Sequence, residues 1–86
     1  MNVPSARQVI AARGLLGISQ VELAERSGVS VVTIRRFEAD ADRPDSSRSM
    51  RLATMVTLVN FFEASGIEFR DEGDRYGVLR TKKQEL

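Results

Sequence analysis

Apolar positions recur at intervals of three and four along most of the first 65 residues and then switch to strict alternation near the C-terminal end. Ala6, Val9, Ile10, Arg13 and Leu16 fall at helical spacing behind Pro4-Ser5, which predicts a helix over 5–16 capped by Ser5. Gly14 weakens that helix toward its end, and Gly17 is the expected stop before Ile18. Ser19-Gln20-Val21-Glu22 reads as a capping box, in which hydroxyl and carboxylate each take a backbone N–H of the other residue. Ile18 and Leu23 flank it at the spacing of a hydrophobic staple. The second helix is therefore expected from Gln20 to Ser27, ending at Gly28.

The next segment is ambiguous by propensity, because Val29, Val31, Val32, Thr33 and Ile34 are β-branched and suit a strand. Context favours a helix over 31–39: Ser30 can cap it, and Ile34 and Phe37 lie three apart on one face while Arg35, Arg36 and Glu38 occupy others. The stretch 40–47 (DADRPDSS) is a loop by composition. A fourth helix is expected over about 49–65 with a core stripe of Leu52, Met55, Val56, Val59 and Phe62, Leu58 at its edge, and Met50 and Phe61 on the far side. Ile67 and Phe69 then alternate with Glu68 and Arg70, and a turn-rich run leads to Tyr76-Gly77-Val78-Leu79-Arg80, which predicts a β-hairpin.

Eighty-six residues support one hydrophobic core, and 42% hydrophobic with 29% charged residues lies in the range of folding chains. Without cysteine there is neither a disulfide framework nor a thiolate metal site. No run approaches the ~18 apolar residues of a membrane span, and the N-terminus lacks a signal pattern, so the expectation is a soluble, cytoplasmic protein without a membrane role. The absence of histidine and cysteine leaves no familiar acid–base pair or thiol nucleophile, and no enzyme or cofactor is expected. The formal charge of +1 does not announce nucleic-acid binding. Its distribution is more informative: residues 1–51 carry eight arginines against six acids, whereas 52–86 carry five basic residues against six acids. A DNA-facing surface would lie in the first half.

The run Gln20-x-x-Leu23-Ala24-x-x-x-Gly28-Val29-Ser30-x-x-Thr33-Ile34-x-x-Phe37-Glu38 resembles the phage repressor and Cro-like (XRE) helix-turn-helix family, over about residues 6 to 65. The resemblance implies a four-helix repressor-like domain over 1–66, and with the alternating tail as a short C-terminal β-hairpin over 67–86 the expected fold is mostly α. The resemblance further implies a double-stranded DNA partner and a recognition helix whose base-reading positions are Val31, Val32 and Arg36, with Thr33 and Arg35 alongside. Relatives often carry amide side chains at the first two positions. Valine offers apolar contact alone, for instance to a thymine methyl, which shifts hydrogen-bonded readout to Arg36 and guanine.

By the same resemblance Gln20 contacts a backbone phosphate at a helix start, and Arg13 and Glu38 form a structural pair. Ser30, Arg43, Arg48 and Arg51 are the remaining phosphate-contact candidates, although Asp40, Asp42 and Asp45 oppose this in the loop. Met50, Phe61, Ile67, Phe69, Tyr76 and Val78 are expected to form a dimer interface, because a lone hairpin is marginal and presents open edges. Either a second protomer pairs with the hairpin or the fourth helix covers it. Two readings of function follow. One is a transcriptional repressor binding a palindromic operator as a homodimer. The other is an antitoxin or adaptor that holds a protein partner through the fourth helix and the hairpin.

Overall fold

The helix starts predicted from Ser5, Ser19 and Ser30 are helix starts. In the computed structural model, which describes residues 3–43 and 50–82, helix α1 spans Ala6–Leu16 behind Ser5, whose Oγ accepts from Gln8 N–H while Gln8 Oε1 accepts from Ser5 N–H. Helix α2 spans Gln20–Ser27 behind Ser19 and its box with Glu22, and helix α3 spans Val31–Ala39 behind Ser30. Such caps contribute about 1 kcal/mol each by satisfying orphan N–H groups. Gly17 and Gly28 end α1 and α2 at φ 68° and 81°, a left-handed conformation that costs glycine nothing.

The valine-rich segment is helical because its inner residues have a core to enter. Ile34 and Phe37 are fully buried one turn apart, against Leu23 of α2 and Val9 and Ala12 of α1. Burial of this kind outweighs a β propensity that spans only ~1 kcal/mol per residue.

Helix α4 spans Leu52–Ala64, and the predicted start at Ser49 lies outside the described residues. Its buried face is Met55, Leu58, Val59 and Phe62. The expected stripe is thereby corrected: Leu58 is central, and Leu52 at the first position is 67% exposed. Met50, expected on the far side, is buried, since it precedes the helix and its side chain is not governed by helical phase. Phe61 is half-buried and stacks edge-on against Phe62, with ring centroids 5.4 Å apart.

Strands β1 (Ile67–Asp71) and β2 (Tyr76–Arg80) pair antiparallel, with Phe69 opposite Val78. The hairpin packs on its own chain, β1 against α4 and β2 against α1. Ile67 enters the common core, and Phe69 meets Phe62 edge-on at 5.6 Å. Gln8 fastens both strands: its Nε2 donates to the carbonyls of Arg70 in β1 (2.9 Å) and Gly77 in β2 (3.1 Å). Arg80 Nη1 donates to Leu15 O at 3.0 Å, and Thr81 N–H donates to Gly66 O at 2.8 Å, closing the hairpin base onto the helices.

Candidate nucleic-acid interface

The turn between α2 and α3 is built from backbone requirements. Gly28 N–H donates to Ala24 O, Ser27 Oγ accepts from Val29 N–H, and Val29 is buried, so the chain reverses in three residues and enters α3. With 3.6 residues per turn, burying Ile34 and Phe37 turns the opposite arc of α3 outward. That arc carries Val32, which is 56% exposed, with Arg35 and Arg36, both exposed; Val31 and Thr33 flank it half-buried. The five residues expected to read bases thus form one continuous surface, apolar at its N-terminal end and cationic one turn later. Neither arginine forms an ion pair among the described residues.

Thr33 and Arg36 also line a shallow groove with Met50, Arg51 and Thr54, where α3 meets the start of α4. Arg51 is exposed and occupies the N-cap position of α4, and among the described residues no side chain caps that helix. Two guanidinium groups therefore border one groove at the positive end of a helix dipole, an arrangement suited to an anionic group such as a phosphate.

Arg13 and Glu38 form the expected pair. Glu38 Oε2 accepts from Arg13 Nε at 2.8 Å and Oε1 accepts from Arg13 Nη2 at 2.6 Å, with side chains 5% and 19% exposed for Glu38 and Arg13 respectively. The carboxylate hydrogen bonds hold the guanidinium pKa above its ordinary range despite partial burial. Arg13 Nη1 additionally donates to Ile18 O at 3.2 Å. Gln20 joins this network, its Nε2 donating to Glu38 Oε1 at 2.9 Å. One carboxylate thus ties the end of α1, the start of α2 and the end of α3, which fixes how far α3 projects. The amide of Gln20 is half-buried and keeps a second N–H beyond the one given to Glu38.

The remaining expectations distribute as follows. Ser30 is exposed and its Oγ is engaged in capping α3. Arg43 is exposed and faces Asp40 at 3.6 Å, while Arg7 pairs with Asp42; exposed pairs of this kind exchange readily. Arg48 lies outside the described residues. Of the six expected interface residues, Met50 and Ile67 are consumed by the protomer's own core, and Phe61, Phe69 and Val78 are half-buried against it. Tyr76 is 58% exposed.

Two features escaped the sequence reading. Gln8 was invisible to a count of apolar positions, although its place three after Ser5 marks the capping box. The Gln20–Glu38 bond joins residues 18 apart and has no local signal.

A family model described as helix-turn-helix matches residues 9–55, which covers all of α2, the turn, α3 and most of α1. No curated protein and no solved structure matches the chain.

Proposed function

We propose that this chain, which belongs to the phage repressor and Cro-like (XRE) helix-turn-helix family and is a DNA-binding transcription regulator, is a repressor that binds a palindromic operator as a homodimer. The observation that carries the reading is the outward arc of α3, Val32-Arg35-Arg36, exposed on a helix whose other side is locked into the core. A helix of nine residues projecting in this way fits the major groove.

Val31 and Val32 then meet thymine methyl groups, and Arg36 grips guanine O6 and N7 bidentately. Arg35 and Thr33 contact bases or the adjacent backbone at the two sides of the arc. Arg51 and Arg43 neutralise phosphates, and Gln20 offers its second amide hydrogen to another. Because Glu38 orients Gln20, the same carboxylate that sets the height of α3 also aims a phosphate contact.

The adaptor alternative draws less support, because the apolar face of α4 that a protein partner would use is occupied by the chain's own core. Leu52 is the large apolar residue that α4 leaves exposed.

Selection of binding sites from random DNA tests the proposal. The enriched half-site should combine thymine with guanine, Arg36→Ala should relax preference at the guanine, and Arg43→Ala should weaken all sequences about equally while lowering the salt dependence. Unchanged affinity of both variants for every duplex at low salt would overturn these assignments.

A further inference from the structure

The two edges of the hairpin differ in chemistry. Strand β1 carries Glu68, Arg70 and Asp71 within five residues, the charged composition that protects an edge from pairing. Strand β2 presents Tyr76-Gly77-Val78-Leu79, without a charge until Arg80. The side chains of Ile67, Phe69 and Val78 face the core, so Glu68, Arg70, Gly77 and Leu79 form the outer face. There Leu79 is 48% exposed, and beside it lies a shallow hollow over Gly77 bordered by Arg70, Glu72 and Arg75. A side chain at Gly77 would meet nothing within 4 Å.

Hydrogen-bond parity shows which backbone groups the edge offers. Thr81 N–H donates to Gly66 O and Glu72 N–H to Arg75 O, which fixes the bonded pairs at both ends of the ladder. With the observed register, Gly77 and Leu79 are bonded to β1, so Tyr76, Val78 and Arg80 turn their N–H and C=O groups to the open side.

We infer that β2 is the homodimer surface, pairing antiparallel with β2 of a second copy about a two-fold axis at Val78. This rests on the reading of the chain as a dimeric regulator and names the contact that makes it one. A two-fold axis at Val78 is the register that engages all three outward residues, with Val78 opposite itself and Tyr76 opposite Arg80. It sets Leu79 opposite Gly77 in a pair that shares no hydrogen bonds, where side chains approach most closely. Each copy then places its exposed leucine beside the hollow left by the other's glycine, and no like charges face each other. The equivalent axis on β1, at Phe69, would oppose Glu68 and Arg70, which already satisfy each other in-strand at 2.9 Å, and would set Asp71 against Ile67. One five-residue strand pair is smaller than the ~1,200 Å² of stable interfaces, so association is concentration-dependent and is completed on the operator.

The chain's lack of cysteine makes the test direct. The Gly77→Cys/Leu79→Cys double variant should form a reducible covalent dimer on mild oxidation at high concentration, since facing positions without shared hydrogen bonds lie ~4.5 Å apart at Cα, within disulfide reach. A Glu68→Cys/Arg70→Cys variant, with the same spacing on β1, should remain uncrosslinked. Independently, Leu79→Lys should weaken self-association in sedimentation equilibrium by at least about tenfold while leaving the circular dichroism spectrum unchanged. A dimer that crosslinks through β1, or one indifferent to Leu79→Lys and uncrosslinked at β2, overturns the inference and leaves the dimeric reading standing. A monomer at every concentration, free and on DNA, removes both.

Discussion

Replacing Glu38 by alanine removes the acceptor that three donors share. Arg13 Nε, Arg13 Nη2 and Gln20 Nε2 all end on this carboxylate, which is 5% exposed, so the variant leaves a guanidinium at 19% exposure without its counter-charge. Breaking a buried pair in this way costs about 3–5 kcal/mol, and the residual exposure of Arg13 places this case at the lower end, about 3 kcal/mol. For a domain of this size each kcal/mol lowers Tm by about 4–8 °C, so the expected loss is about 12–24 °C. Thermal and urea unfolding followed by circular dichroism measure it. Glu38→Gln, which keeps the shape and one carbonyl acceptor, should lose less. The Arg13→Met/Glu38→Leu double variant should recover much of the stability, because the orphaned charge is gone. A loss below about 1 kcal/mol in Glu38→Ala, or a double variant whose cost is the sum of the singles, would refute the reasoning.

Gly28→Ala should destabilise by about 1–2 kcal/mol through the left-handed backbone alone, since a Cβ there meets no neighbour; urea midpoints check it. Gln8→Ala should speed hydrogen exchange of the β1 and β2 amides more than those of α2 and α3, because it cuts two of the bonds that hold the hairpin to α1. Phe62→Ala should cost about 3–5 kcal/mol, as its ring is fully buried between α4 and Phe69, and chemical denaturation would show whether it does.

The elements legible from sequence were those with local chemical markers. Ser5, Ser19 and Ser30 marked three helix starts, Gly17 and Gly28 two ends, and alternation around Ile67 and Phe69 the hairpin. The start of α4 had no such marker, and its phase was misjudged there: Leu52 is exposed although periodicity placed it inward. Long-range polar bonds were the other gap. Gln8 reaches residues more than 60 positions away, and pattern reading assigns no partner to an isolated glutamine. The dimer residues were drawn from apolarity and from the open edges of a lone hairpin, neither of which distinguishes a side chain that completes its own core, such as Met50 or Ile67, from one left free for a partner.

Nuclear magnetic resonance mapping of the labelled chain against its selected operator tests the central claim most directly. The largest amide shifts should fall on Val31 to Arg36 and at the start of α2, with smaller ones near Arg51. Shifts confined to the hairpin, with α3 unmoved at saturation, would contradict the account.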